Sequence, residues 1–563
     1  MKNIQAVKNI PIGELLKNYG YITEEQLSAA LEYQKQNRSK RLGDILIELG
    51  FVTEYQKLLA LGQKLDIPVI KLNSTAADLN TVKKIPKALA LKYNLIALRE
   101  DQGSLVVAIN DPLNFFAIEN IRQATKMPLE ICLAESKQIS DALEYYYSEL
   151  DAKEAASVAK NTIAPISLSP DIIDDAAGTE APVVKLLNSL LTRGYNTNAS
   201  DIHIEPFADI INIRVRVDGT IVDYMTLSPN VHQPLIARIK ILSNLNIAEK
   251  RVPQDGHFRT NIEGADINVR VSLIPTIYGE KAVLRLLLLN TKIDHSNSFG
   301  MLSQNYQKML QALQSPHGIV YLTGPTGSGK TTTLYMILEY LANRNVNIVT
   351  VEDPVERNLA RISQVQVNPA AGLTFESGLR SILRQDPDII MVGETRDAET
   401  ASISVRAAIT GHLVLSTLHT NDAASSIIRL IDMGIPSYII ASSLVAIVAQ
   451  RLVRKVCDNC AYEYEPDETE RLALGVPVEK LRRGKGCHIC NNTGYKGRMA
   501  VHEILLIDFK LRNMITARAS NEEIFEYAKQ QGMTTLRQAA IDLVLNGTTT
   551  VEELLKTAYY EGA

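Results

Sequence analysis

Short apolar runs alternate with helix-like segments over the second half of the chain. The runs are GIVYLTG at 318–324, NIVTVED at 347–353, DIIMVGE at 388–394 and HLVLSTLH at 412–419. Continuous apolar runs of this length are typical of strands buried on both faces. The alternation of such strands with helices predicts an α/β domain over 301–563, with a parallel sheet covered by helices on both sides.

A different pattern, strict alternation of apolar and polar residues, marks a separate domain at 180–290. It runs through IINIRVRVDGTIVDYM at 210–225 and FRTNIEGADINVRVSLI at 258–274, and each segment contains a turn signal, Asp218-Gly219 or Glu263-Gly264. Such alternation predicts half-buried antiparallel strands joined by hairpins. A helix at 234–247 separates the two segments, which makes the domain α+β.

The pattern of the first 150 residues predicts a small helical domain followed by a region that contains both helices and strands. Residues 11–34 and 41–64 form a degenerate repeat in which a glycine-containing helix is followed by Gly, two apolar residues and Thr-Glu. Thr23 and Thr53 are the expected N-caps of the second helix of each unit. Strands are expected near Leu95–Leu98 and Ser104–Ile109, and polar linkers at 151–179 and 291–300.

Composition narrows the functional classes. The chain has 563 residues, 46% hydrophobic and 22% charged, and 59 Lys+Arg against 63 Asp+Glu give a net charge of −4. This balance gives no support for a protein that coats nucleic acid by bulk positive charge. No apolar run reaches the ~18–20 residues of a membrane-spanning helix, and the N-terminal sequence lacks a signal-peptide core. We therefore expect a cytoplasmic chain that contacts the membrane through partners.

Residues 324–331, GPTGSGKT, form a complete phosphate-binding loop between a predicted strand and a predicted helix. Glycines allow backbone N–H groups to wrap phosphates, and the following helix N-terminus favours anions. Lys330 is expected to reach the β- and γ-phosphates, and Thr331 to ligate Mg²⁺. The candidate nucleotide-binding residues are Gly324, Pro325, Thr326, Gly327, Ser328, Gly329, Lys330, Thr331 and Thr332.

Acidic and histidine residues flank the neighbouring predicted strands. Glu352, Asp353 and Glu356 follow one strand, and Glu394 follows the next, with Gly393 where an aspartate usually stands. Glu394 is the candidate for polarising the attacking water, and Asp353 or Glu352 for the outer shell of Mg²⁺. His412 precedes the last of the four strands and Thr417 and His419 end it; a polar group there can sense the γ-phosphate.

Four of the five cysteines form two CxxC pairs. The pairs Cys457/Cys460 and Cys487/Cys490 enclose 26 residues. In a chain without secretory features, this spacing favours a tetrahedral Cys₄ zinc site over disulfides. Four thiolates leave no open coordination position, so we expect the zinc module, at about 455–500, to be structural.

Taken together, these motifs resemble the secretion ATPases of type II secretion and type IV pilus assembly. The stretch LRSILRQDPDIIMVGETRD, with its Walker B motif ending in Gly-Glu, matches that family, as do ASDIHIEP, VRVDG, AEKRVPQDG, GEKAVLRL, the histidine segment His412–Asn421 and GCHICNNTGYKGR. The resemblance implies a homohexamer that binds ATP between a RecA-like ATPase core and a preceding PAS-like domain. It also implies that Arg270 and Arg285 reach the phosphates, with Arg214, Arg216 and Arg238 as weaker candidates.

The N-terminal repeat resembles the regulatory domain of the same family. In one branch, paired motifs beginning Arg-Leu-Gly bind cyclic di-GMP, which makes this dinucleotide a candidate ligand. The second unit begins Arg41-Leu42-Gly43, whereas the first begins with Pro11, and Lys57 and Lys64 replace the expected Leu and Gln. The resemblance otherwise implies docking to the cytoplasmic domain of an assembly protein at an inner-membrane platform.

The sequence motifs are compatible with two functional hypotheses. The first is a mechanical ATPase that drives type IV pilus extension or type II protein secretion. The alternative is a nucleic-acid translocase or helicase with a zinc ribbon, which the acidic pI and the lack of an aromatic-rich basic groove disfavour. A pilus-retraction role is disfavoured because retraction members of the family lack the long N-terminal region and the cysteine module.

Overall fold

The structure is a computed structural model that describes residues 10–37, 40–72, 77–162, 182–288 and 298–558. It divides into two compact units, the first built mainly from the described residues up to 193 and the second from most of the remainder. Among the described residues, no helix is long and apolar enough to span a bilayer.

The first unit begins with four helices that carry the sequence repeat. They are α1 (Ile12–Asn18), α2 (Glu24–Gln36), α3 (Leu42–Glu48) and α4 (Glu54–Leu65). The predicted N-caps are present: the Thr23 and Thr53 side chains each accept a hydrogen bond from the backbone N–H three residues on, and Gln26 and Gln56 reciprocate. These capping boxes satisfy the first N–H groups of α2 and α4.

A small three-stranded sheet follows in the same unit. Its elements are α5 (Leu79–Val82), α6 (Lys87–Tyr93), β1 (Leu95–Asp101), β2 (Ser104–Ile109), α7 (Phe115–Thr125), β3 (Leu129–Leu133) and α8 (Ser136–Thr162). The two predicted strands are confirmed, and they pair antiparallel. Helix α8 extends to Thr162, so the predicted linker at 151–179 begins as helix; the rest of that linker lies outside the described residues.

The alternating segments form one six-stranded antiparallel sheet. Helix α9 (Pro182–Asn196) precedes β4 (Ala199–Pro206), β5 (Ile211–Val217), β6 (Thr220–Leu227), α10 (His232–Leu242), β7 (Gln254–Ile262), β8 (Ala265–Thr276) and β9 (Gly279–Leu288). The strand order is β6-β5-β4-β9-β8-β7. Both predicted hairpin turns have positive φ at their two central residues, as Asp218-Gly219 and Glu263-Gly264 chemistry favours. The PAS-like assignment stays a prediction, and most of the predicted linker 291–300 lies outside the described residues.

The predicted parallel sheet is confirmed over six of its seven strands. The core contains α11 (Ser303–Leu313), β10 (Gly318–Thr323), α12 (Lys330–Leu341), β11 (Ile348–Glu352), β12 (Ser363–Gln366), α13 (Phe375–Ile382), β13 (Ile389–Val392), α14 (Ala398–Ile409), β14 (Leu413–Leu418), α15 (Ala423–Asp432), α16 (Ser437–Ser443) and β15 (Leu444–Val456). The strand order is β12-β11-β13-β14-β10-β15-β18, with β18 defined below.

Helices cover both faces of this sheet, as the doubly apolar strands predict. Along β10, Ile319 and Tyr321 belong to one hydrophobic core, with residues of α13, α14 and α15. Val320 and Leu322 belong to a second core, with residues of α11 and α12. Successive side chains of one strand thus pack in different layers, which explains why the strand has no polar face.

The chain after Cys490 contains a strand as well as helices. Before the last helices, β18 (Tyr495–Leu506) pairs antiparallel with β15 and completes the sheet. Between these strands lie β16 (Ala461–Tyr464), α17 (Glu468–Leu474) and β17 (Leu481–Gly484), and after β18 come α18 (Phe509–Thr516), α19 (Asn521–Gln530), α20 (Leu536–Leu545) and α21 (Val551–Ala558). The cysteine segment is therefore an excursion between two paired strands.

Candidate nucleotide-binding and catalytic site

The phosphate-binding loop lies directly after β10, with α12 beginning at Lys330. Two of its glycines are required by close neighbours. A Cβ on Gly324 would lie 2.4 Å from the backbone O of Gln450, and one on Gly329 would lie 2.9 Å from the Gln450 Nε2. Both glycines also have positive φ. Successive backbone N–H groups in such a conformation form a concave anion site, so the loop fits a phosphate group.

Lys330 is buried within this loop. Its ammonium donates hydrogen bonds to the backbone oxygens of Gly324, at 2.6 Å, and Pro325, at 3.2 Å. Burial and the nearby positive charge of Arg451 lower the pKa of Lys330 to about 8. The side chains of Thr331 and Thr332, at the start of the same helix, are exposed. The loop thus presents one cation and exposed hydroxyls beside its backbone donors.

Glu394 and His419 meet at the same edge of the sheet as the loop. They follow β13 and β14, and the carboxyl ends of parallel strands share one edge. One carboxylate oxygen of Glu394 lies 2.6 Å from the Arg396 Nε and 3.6 Å from the His419 Nε2. Burial and the charge of Lys330 lower the pKa of His419, so its ring is neutral at pH 7. The strand ends are tied together by Thr417, whose hydroxyl donates to the Gly393 oxygen at 2.9 Å.

The acidic residues after β11 have different environments. Glu352 is only 3% exposed, and its oxygens accept hydrogen bonds from Tyr335, Thr350 and Gln364. Asp353 is exposed and Glu356 is half-buried. Because Glu352 is already satisfied by three protein donors, Asp353 is the better placed of the two acids predicted for the Mg²⁺ outer shell.

The two predicted arginines are neighbours in the antiparallel sheet. Arg270 on β8 is directly opposite Arg285 on β9. The Arg270 Nη2 lies 3.8 Å from the Glu356 Oε2, and the Arg285 Nε donates to the Asp201 Oδ1 at 2.9 Å. Although burial opposes it, hydrogen bonds from Arg285 and Ser200 hold the pKa of Asp201 below its usual value.

Two of the three weaker arginine candidates, Arg214 and Arg216, also pair with acids of the antiparallel sheet. Arg214 forms a two-pronged hydrogen bond with Glu205, at 2.7 and 3.0 Å. Arg216 lies 3.6 Å from Asp201. These contacts stay within the antiparallel sheet, and Arg216 shares Asp201 with Arg285.

The structure does not bring His412 to the site, and its predicted catalytic role is corrected. His412 precedes β14, and its backbone oxygen accepts a hydrogen bond from Gly318 at the start of β10. The phosphate loop begins at the other end of β10, about six residues or ~20 Å away. The His412 Nδ1 instead lies 2.9 Å from the backbone oxygen of Ala407, which fastens the end of α14.

Sequence reasoning missed two residues of β15 that support the loop. The Gln450 side chain donates to the Ser328 oxygen at 2.8 Å. The Arg451 Nη2 donates to the Asn421 oxygen at 2.8 Å, joining the histidine segment to the loop region. The signal was present, because Gln450-Arg451 interrupts the apolar run Leu444–Ala449 as the functional groups do at the other strand ends.

The four paired cysteines come together as predicted. Their Sγ atoms all lie within 4.8 Å of one another. Tetrahedral zinc, with bonds of about 2.3 Å, needs sulfurs about 3.8 Å apart, so the cluster fits this ion. Backbone N–H groups of Cys487 and Gly494 donate to the Cys490 Sγ at 3.1 and 3.3 Å.

Comparison with known proteins decides the family. The model described as "Type II/IV secretion system protein" matches residues 176–556, and the MshEN domain model matches 65–153. The chain belongs to the type II/IV secretion ATPase family. It is therefore an ATP hydrolase, and the ATPase fold expected from the sequence resemblance is confirmed. The MshEN match covers the mixed region after the repeats rather than the repeats themselves.

Relatives from both branches of the family match over most of this chain. The type IV pilus assembly ATPase PilB of Myxococcus xanthus is 38% identical over 97% of this chain and 98% of its own. The type II secretion system ATPase E of Vibrio cholerae is 38% identical over 85% of this chain and 97% of its own. PilB of Thermus thermophilus is 40% identical over 87% of this chain, which spans only 56% of that protein.

A solved structure shares the fold. The ATPase DotB of Yersinia pseudotuberculosis matches with a TM-score of 0.51 at 20% identity, covering 67% of this chain and 93% of that one. The family match and these relatives, rather than the shared fold, favour the secretion ATPase over the nucleic-acid translocase.

Proposed function

We propose that this chain is a cytoplasmic homohexameric motor. It hydrolyses ATP to assemble pilin or pseudopilin subunits at an inner-membrane platform, in type IV pilus extension or type II secretion. One observation carries the proposal: a complete phosphate loop, Glu394 and His419 share one sheet edge in a chain that matches a pilus assembly ATPase over 97% of its length. Membrane contact is made through the platform protein and the cytoplasmic domain of an assembly protein.

The loop binds the triphosphate. Backbone N–H groups of residues 326–330 and the Lys330 ammonium surround the β- and γ-phosphates, and the exposed Thr331 hydroxyl would ligate Mg²⁺. When bound, Mg²⁺ neutralises phosphate charge and orients the oxygens. Asp353, exposed at the end of β11, holds the outer shell of the ion.

Glu394 supplies the proton acceptor. Its carboxylate lies beside the neutral ring of His419 and within 2.6 Å of Arg396. We assign it the deprotonation of the attacking water, with His419 contacting the γ-phosphate. Positioned proton transfer of this kind contributes about 10²–10⁴-fold to rate.

Arg270 and Arg285 stabilise the negative charge that develops on the phosphates. Two like charges directly opposite in a sheet repel each other, and an anion between them removes the repulsion. The 3.8 Å contact between Arg270 and Glu356 supplies a competing partner that the phosphate displaces. Alternation between these partners couples hydrolysis to movement of the antiparallel domain.

The test combines assembly state with turnover. Purified chain with a non-hydrolysable ATP analogue should appear as a hexamer by native mass spectrometry, and with ATP and Mg²⁺ it should release phosphate. Added single- or double-stranded polynucleotide should leave turnover unchanged. A monomer under all nucleotide conditions would contradict the ring, and a several-fold stimulation by polynucleotide would favour the translocase.

A second ligand, cyclic di-GMP, is proposed for the N-terminal repeats on the strength of their resemblance and the neighbouring MshEN match. Arg41, the one arginine at a motif start, pairs with Asp111 at 2.8 Å. Lys57 packs its stem against Gly43 and pairs with Asp44 at 3.0 Å. The dinucleotide must displace Asp111 from Arg41. Calorimetric titration of the full chain and of Arg41→Ala tests this: binding lost in the variant supports it, and no binding by either chain refutes it.

A further inference from the structure

We infer that Tyr335 is a positioning residue that fastens the acidic segment 352–357 to the phosphate-loop helix α12. Through it, displacement of α12 on nucleotide binding reaches Glu356. This inference rests on the proposed partnership of Arg270 and Glu356 described above. Neither the sequence motifs nor the family assignment gives Tyr335 a role.

The Tyr335 hydroxyl makes two hydrogen bonds to the acidic segment. It donates to the Glu352 Oε2 at 2.5 Å, and it accepts from the backbone N–H of Glu356 at 3.1 Å. The side chain is 3% exposed. One buried hydroxyl therefore fixes both the first and the last acid of the segment.

A second contact from the same helix reinforces the first. Glu339, one turn after Tyr335, pairs with Arg357 at 2.6 Å. The guanidinium of Arg357 also lies 5.7 Å from the centroid of the Tyr335 ring. Residues four apart share one face of a helix, so this face of α12 holds the acidic segment along its length.

The surroundings of Glu352 explain why this acid acts in positioning. Its other oxygen accepts hydrogen bonds from Thr350, at 2.5 Å, and Gln364, at 3.1 Å. Burial and the carboxylate of Glu352 raise the pKa of Tyr335 well above its usual range, so the phenol keeps its proton and remains the donor. The network is complete without any nucleotide group.

The position of Tyr335 along α12 makes it a link. Lys330, which binds phosphate, is the first residue of α12, and Tyr335 follows five residues or about 7.5 Å later. The backbone N–H of Glu356 donates to the Tyr335 hydroxyl, and the Glu356 carboxylate contacts Arg270. A shift at the helix N-terminus therefore moves the partner of Arg270.

Tyr335→Phe removes the hydroxyl and preserves the ring. In the full-length chain we expect kcat for ATP to fall about tenfold or more, the effect of one lost hydrogen bond to a charged group. KM and the affinity for a fluorescent ATP analogue should stay within about twofold, since the phosphate loop is untouched. The matched control is Tyr340→Phe, because Tyr340 lies on the same helix, is 37% exposed, and its hydroxyl makes no hydrogen bond to the described residues.

Three outcomes overturn the inference: unchanged kcat in Tyr335→Phe, an equal fall of kcat in Tyr340→Phe, or a fall in both nucleotide affinity and melting temperature in Tyr335→Phe. Lys330→Ala, measured alongside, separates these from failure of the proposed function. If Lys330→Ala is inactive while Tyr335→Phe is fully active, the motor assignment stands and the role of Tyr335 falls.

Discussion

The substitution Glu394→Gln tests the proposed catalytic base most sharply. It removes the charge and basicity of the carboxylate while preserving its shape, and the amide oxygen can still accept the hydrogen bond from Arg396, now 2.6 Å away. A positioned base contributes about 10²–10⁴-fold, which is about 3–5 kcal/mol of barrier. We therefore expect phosphate release to fall by that factor.

The same substitution, Glu394→Gln, should not weaken the binding of ATP. Glu394 is an anion in a site that also contains Lys330 and His419, and its negative charge repels the triphosphate. Removing it should leave ATP affinity equal or tighter. The assay pairs single-turnover phosphate release with titration of a fluorescent nucleotide, and Glu526→Gln, an exposed acid on α19, is the control. Turnover within tenfold of the unmodified chain, or loss of binding, would refute the assignment.

The remaining predictions concern the lysine, the cysteines and the arginine pair. Because the pKa of Lys330 is about 8, its ammonium is present at lower pH and is lost above it. ATP affinity should therefore fall from pH 7.5 to 9, and pH-independent affinity would contradict this. Cys487→Ser should reduce the zinc content from one ion per chain, by elemental analysis, and lower the melting temperature; metal-free unmodified chain would count against the site. Arg270→Gln should lower kcat about tenfold or more while ATP still binds, whereas unchanged kcat would exclude contact with the transferring phosphate.

Strand prediction succeeded where local sequence was sufficient. The four apolar runs of the parallel sheet are recognisable because each is buried on both faces. β15 and β18 were missed because their pairing joins residues far apart in sequence, such as Arg454 with Arg498. Because the cysteine segment separates these two strands in sequence, no local sequence pattern indicates that they pair.

The position of a candidate site residue could be predicted where it directly follows a strand, but not elsewhere. Glu394 and His419 follow strands and so share the loop's edge, whereas His412 precedes its strand and lies at the opposite edge. Tyr335 is part of an ordinary apolar helix face, and its role depends on the tertiary contact with Glu352. Asp353 and Glu352 stayed alternatives for the outer shell of Mg²⁺, because sequence position does not reveal which way a strand-end side chain turns.

The central claim is that ATP hydrolysis at this loop drives fibre assembly. The most direct measurement is the amount of assembled pilin or pseudopilin in cells that express Lys330→Ala in place of the unmodified chain, at equal protein level. The account predicts no assembled fibre, with unassembled subunits retained in the inner membrane. Normal assembly by the variant would contradict it.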